Sequence, residues 1–122
     1  MCNIAGYIGT QDAAPIVLDM IERQEGLAGG YYTGFATINA GSLYHEKVVG
    51  DTARLRRTTD AEDLPGTIAI AHSRSKSGGD REWGQPFVGC DDSLAYLANG
   101  ARGFWKDRVD VDAMAQEIVD AG

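Results

Sequence analysis

Residues 1–9 read MCNIAGYIG, and residues 12–26 read DAAPIVLDMIERQEG. In the first stretch Ile4, Ala5, Tyr7 and Ile8 populate both faces of an extended segment, the pattern of a strand buried on both sides. The second has a helical period. Ala13, Ile16, Val17, Met20 and Ile21 fall on one stripe, while Asp19, Glu22 and Arg23 lie opposite. Asp12 is a suitable N-cap, Pro15 is tolerated in a first turn and Gly26 can end the element, so an amphipathic helix is predicted from about Asp12 to Glu25.

The segment LAGGYYTGFATINAG (27–41) is glycine-rich and then strand-like from Thr33 to Asn39. Ala40-Gly41 supplies a turn before SLYHEKVVG (42–50), so a hairpin is predicted. A short helical piece follows around Asp51 to Thr58. TIAIAHSR (67–74) reads as a strand with Ile68, Ile70 and His72 on one face and Ala69 and Ala71 on the other. SRSKSGGDREWGQP (73–86) is a polar loop, and SLAYLANG (93–100) another strand with Leu94, Tyr96 and Ala98 on one face. VDVDAMAQEIVDAG (109–122) carries a helical stripe at Val111, Met114, Ala115, Ile118 and Val119. Strands paired mostly antiparallel, with helices flanking them, give an α+β arrangement.

The 122 residues suit one domain, since the commonest domain size is roughly 100–150 residues. A formal net charge of -7 argues against a nucleic-acid partner, because phosphate binding needs clustered Lys and Arg. Arg54, Arg56 and Arg57 form one short basic run, set among Asp51, Asp60, Glu62 and Asp63, and read as a solvated face. No window reaches the roughly 20 apolar residues of a membrane span and no secretory signal is visible, so a cytoplasmic protein is expected. Cys2 and Cys90 are expected as free thiols. His45 and His72 are isolated and no metal-ligand spacing occurs, so neither a metal nor a cofactor is expected.

Cys2 carries the chemistry. Once Met1 is removed, Cys2 bears both a thiol and the chain's α-amine, with ordinary pKa values near 8.5 and roughly 7.7–8.0. The amine can take the thiol proton and later hand it to a leaving group, so nucleophile and base come attached to one another. Such a site also needs oxyanion donors, commonly backbone N–H or an Asn side chain, and Asn99-Gly100 ends a predicted strand. Taken singly, each residue has a plainer reading. Cys2 can be a small hydrophobe before a strand, Asn99-Gly100 a turn, Arg74 a surface ion-pair partner and His72 a hydrogen-bonded strand residue.

Together these pieces resemble the class II glutamine amidotransferase domain. MCNIAGYIG is similar to that family's Met-Cys-Gly-Ile-x-Gly, AHSRSKSGG (71–79) to its His-Thr-Arg-x-x-Thr-x-Gly, and LANG (97–100) to its His-Asn-Gly. The order is the family's, and the separations are close to those of the glucosamine-6-phosphate synthase branch. The resemblance implies an N-terminal-nucleophile hydrolase-like fold, an αββα sandwich of two antiparallel sheets between helices, of which residues 1–122 would supply about half. It implies that Cys2 attacks the side-chain amide of L-glutamine to form a γ-glutamyl thioester and release ammonia, with Asn99 and Gly100 lining the oxyanion hole. Arg74 would bind the α-carboxylate, and Ser77 would help hold the substrate.

The sequence departs from the family pattern at Asn3, where glycine is usual, at Ser75 for tryptophan, at Gly78 for histidine and at Gly29, where an arginine near the nucleophile is common. The family's downstream aspartate, which grips the α-amine of glutamine, has no counterpart. A homo-oligomer, or a further C-terminal half, is expected to cover the open sheet. Two other readings stand beside glutamine hydrolysis. One is an inactive relic serving as a binding or assembly module, the other an N-terminal-nucleophile amidohydrolase with a different amide substrate.

Overall fold

The computed structural model of the chain describes residues 2–76 and 84–99. Four strands form one antiparallel sheet: β1 (Cys2–Ile8), β2 (Tyr32–Asn39), β3 (Ser42–Val49) and β4 (Ile68–Arg74), in the order β1-β4-β2-β3. Two helices, α1 (Ala13–Gln24) and α2 (Thr52–Thr58), and a 3₁₀ turn at Ala61–Asp63 pack with it. A two-stranded ribbon, β5 (Phe87–Val88) with β6 (Ala95–Tyr96), follows. The architecture is α+β with antiparallel sheets, as expected, and it fits part of an N-terminal-nucleophile hydrolase-like domain. Among the described residues no helix is long and apolar enough to cross a membrane.

The core lies between α1 and one face of the sheet. Val17, Leu18 and Ile21 of α1 are fully buried together with Phe35 and Leu55. The strands meet them with Ala5, Ala69 and Ala71, whose small side chains let the helix approach closely. The buried stripe of α1 is Ala13, Ala14, Val17, Leu18 and Ile21. It is therefore rotated from the predicted one, since Met20 is 41% exposed and Ile16 only half-buried. Asp12 occupies the N-cap position, yet its side chain makes no capping hydrogen bond. The first helical N–H, that of Ala13, instead donates to the Gly66 carbonyl at 2.9 Å.

The β2–β3 hairpin turns at Ala40 and Gly41, both with positive φ, the geometry that matches the twist of the flanking strands. Asp51 caps α2 by accepting from the Arg54 N–H at 2.8 Å. The basic run is not wholly solvated. Arg56, its side chain 18% exposed, pairs with Asp19, Glu22 and Glu62 and ties α2 to α1 and to the 3₁₀ turn.

The opposite face of the sheet carries Cys2, Ile4, Gly6 and Ile8 of β1 and Ile68, Ile70, His72 and Arg74 of β4. It is not covered on all of its area by described residues. Ile4 and Ile8 are 44% and 78% exposed, so β1 is an edge strand packed on one face, not one buried on both. Its mixed pattern arises because Ala5 and Tyr7 serve the helix while Ile4 and Ile8 serve the other side.

The segment 84–99 sits on that face. A Cβ on Gly34 would lie 1.8 Å from the Gln85 carbonyl oxygen and 2.9 Å from Pro86 Cδ, so only glycine allows this approach. Lys47 Nζ donates to the Gly84 carbonyl at 3.3 Å from the neighbouring strand. The predicted strand at 93–100 shortens to β6, two residues paired with β5. The predicted C-terminal helix lies outside the described residues.

Candidate functional site

The site is set by strand register. In the β1–β4 pair Cys2 stands opposite Arg74, and in the β4–β2 pair Arg74 stands opposite Tyr32. Three side chains of one row thus share the open face at the end of the sheet, with directly paired Cβ atoms about 4.5–5.5 Å apart in such ladders. Cys2 is a free, half-buried thiol. Arg74 is only 3% exposed, and its guanidinium stacks on the Tyr32 ring, 4.4 Å from the centroid. An aromatic face under a desolvated guanidinium fixes its plane. Tyr31 packs edge-on against Tyr32 at 4.8 Å.

Asn99 reaches the same place from 97 residues along the chain. Its Nδ2 donates to the Cys2 carbonyl oxygen at 3.0 Å. It is held there because segment 84–99 is anchored on Gly34, and because Ala98 N donates to Gln85 Oε1 at 2.6 Å. A primary amide has two N–H donors, so one remains for a second acceptor. Of the sequence-predicted site residues, Cys2, Arg74 and Asn99 come together. Ser77 and Gly100 lie outside the described residues, as does Met1.

His72, two residues before Arg74 on the same strand face, is completely buried between Ile4 and Gly34 in the register. Among the described residues neither ring nitrogen has a hydrogen-bond partner. Burial, and secondarily the charge of Arg74, push its pKa down to about 4. The imidazole is therefore neutral at neutral pH, and the plainer sequence reading of a hydrogen-bonded strand histidine is corrected on its second half.

The loop between α1 and β2 packs on Asn3 and Ser73, on the helix side of the sheet. Asn3 donates from Nδ2 to the carbonyls of Gln24 and Ala28, closing the C-terminal end of α1. Gly29 has φ +91, and a Cβ there would meet Ser73 Oγ at 2.7 Å and Asn3 Nδ2 at 3.0 Å. The two departures from the family pattern at positions 3 and 29 are thus in contact. Asparagine takes the space beside the strand, and glycine yields it.

Sequence reasoning missed three contributors. Tyr32 was visible only as part of the glycine-rich stretch before the predicted strand, since its place under Arg74 depends on register. Gly34 gave a signal, a glycine inside an apolar strand, which marks close approach of another backbone. Glu25 was read as the end of a helix, but its Oε1 accepts hydrogen bonds from Thr52 and Ser73.

No protein-family model matches the chain. Curated relatives do. The chain is 35% identical over 102 residues to the glutamine–fructose-6-phosphate aminotransferase (isomerizing) of Chlamydia trachomatis serovar D, and 33% identical over 100 residues to that of Mesorhizobium japonicum. Each match covers 82% of this chain and 16% of the relative. The Chlamydia abortus enzyme of the same name is 36% identical over 74 residues, 61% of this chain and 12% of its own length. The chain thus spans 12–16% of the length of these relatives. On these likenesses the chain belongs to the class II glutamine amidotransferase family, on the branch of the glutamine–fructose-6-phosphate aminotransferases.

Proposed function

We propose that the site hydrolyses the side-chain amide of glutamine and releases ammonia, with Cys2 as nucleophile and its own α-amine, freed by removal of Met1, as base. The observation that carries this reading is the meeting of Cys2 with Arg74 across one strand pair and with Asn99 from the far end of the described chain. A nucleophile, a carboxylate clamp and an amide donor are the three parts that amide hydrolysis of an amino acid requires.

The α-amine removes the thiol proton, and sulfur attacks the amide carbon to give a tetrahedral oxyanion. The second N–H of Asn99 and the backbone N–H of Gly100 receive that charge. Collapse transfers the proton from the ammonium to the departing nitrogen, so ammonia leaves and a γ-glutamyl thioester remains. Water, deprotonated by the same amine, then cleaves the thioester to glutamate and restores the thiol. Arg74 holds the α-carboxylate bidentately, its plane kept by Tyr32, and Ser77 adds a hydroxyl to the same grip. Glutamine is the substrate this clamp favours over amides that lack an α-carboxylate.

The test is ammonia release from glutamine by the full chain. Release that disappears in Cys2→Ala and falls about 10²–10³-fold in Asn99→Ala supports the reading. No release from the wild-type chain contradicts it and favours an assembly module. Release that survives unchanged in Arg74→Ala favours hydrolysis of a different amide.

A further inference from the structure

We propose that Glu25 is a positioning residue of this site, acting through Ser73 to hold the backbone of residues 29–31 against the end of β4. The inference rests on the reading of Cys2 and Arg74 as the reacting and clamping groups, and Glu25 touches neither. Its carboxylate lies at the C-terminal end of α1, where the helix dipole disfavours a negative charge. Donors from α2, β4 and, at 3.4 Å, Thr33 Oγ1 of β2 offset that cost. Glu25 Oε1 accepts from Ser73 Oγ at 2.8 Å, from Thr52 Oγ1 at 2.8 Å and from Thr52 N at 2.9 Å. Such charge-assisted bonds are roughly twice as strong as neutral ones.

The consequence is a direction imposed on Ser73. A serine hydroxyl has one hydrogen, and here it points at Glu25, so the oxygen can only accept from elsewhere. It accepts from the Gly30 N–H at 2.8 Å. The amides on either side do the same along the strand end. Gly29 N donates to Ser75 Oγ at 3.0 Å and Tyr31 N to the Arg74 carbonyl at 2.9 Å. Three consecutive N–H groups are thereby fastened to residues 73–75, the residues that carry Arg74. Tyr32 follows directly and stacks under the guanidinium. With Glu25 replaced by an apolar side chain, the Ser73 hydroxyl loses the partner that fixes its orientation and is free to turn, the Gly30 amide is no longer held to it in one geometry, and the Tyr32–Arg74 stack loses that support.

The experiment compares Glu25→Leu, Glu25→Gln, Ser73→Ala and Thr52→Val in the full chain, reading amide hydrogen exchange at Gly30 and Phe35 together with kcat and KM for glutamine. Loss of one such bond is worth about a factor of ten in a local equilibrium. Glu25→Leu is expected to speed Gly30 exchange about tenfold beyond any change at Phe35, and to raise KM about tenfold while kcat stays within about threefold. Glu25→Gln keeps an acceptor oxygen for Ser73 and is expected to restore both. Ser73→Ala, a smaller perturbation that keeps the chain folded if Glu25→Leu does not, is expected to release Gly30 in the same way. Thr52→Val removes one of the two Thr52 bonds, keeps the backbone bond that holds the carboxylate and leaves the Ser73 bond in place, so Gly30 exchange is expected to stay unchanged. Gly30 exchange that rises only in step with Phe35 in Glu25→Leu or Ser73→Ala overturns the proposal, because that is the behaviour of a merely structural residue. A wild-type chain without glutamine hydrolysis overturns the proposed function instead, while the exchange contrast still decides whether Glu25 positions the loop.

Discussion

His72 shows how one buried side chain writes a pH dependence into the fold. Its pKa is about 4 in the folded chain against an ordinary 6.5. Between those values the unfolded chain binds a proton that the folded chain refuses, so stability is full above pH 6.5 and declines as pH falls toward 4. The loss is on the order of 3 kcal/mol. Denaturant unfolding at pH 7 and pH 4.5 checks this, with His72→Phe expected to flatten the difference. Arg74 makes a second prediction at the same scale. Arg74→Lys keeps the charge but loses the planar fork and the stack on Tyr32, so KM for glutamine is expected to rise by roughly tenfold or more with little change in kcat.

At the scale of elements, the site is assembled from two pieces that approach through glycine. The register of β1 and β4 fixes Cys2 beside Arg74, and the seat of segment 84–99 on Gly34 brings Asn99 to them. Gly34→Ala puts a methyl into the Gln85 carbonyl and must displace that segment. A destabilisation of about 1–3 kcal/mol is expected, with ammonia release falling by far more than folding does, as measured by denaturant titration beside the activity assay. The cap of α2 is a smaller matter. Asp51→Ala removes the acceptor for Arg54 N and is expected to cost about 1 kcal/mol in the same titration, leaving activity intact. Arg56 belongs to this scale as well, since its three carboxylate partners lie on α1 and the 3₁₀ turn. Sequence distance hid two of them. Glu62 is six residues away and visible, whereas Asp19 and Glu22 come close only when the helices pack.

Across the whole molecule, local patterns were read well and long-range contacts poorly, for a physical reason. The period of α1, the turn at Ala40-Gly41 and the alternation of β4 are properties of neighbouring residues, and each was legible. The rotation of the buried stripe on α1 toward Ala14 and Leu18 was not, because it depends on where Ala5, Ala69 and Ala71 leave room. Of the candidate site, Cys2, Arg74 and Asn99 were named through motif resemblance. Tyr32 and Glu25 were not, because their roles exist only once β2 and α1 lie against β4. Everything proposed for the site turns on Cys2, with its own free amine, as the reacting group of glutamine hydrolysis. The most direct test is the mass of the full chain before and after treatment with an electrophilic glutamine analogue. The expected result is a chain lacking Met1 that gains a single adduct, localised to Cys2 and suppressed by free glutamine. Retention of Met1, an adduct on another residue such as Cys90, or no adduct contradicts it.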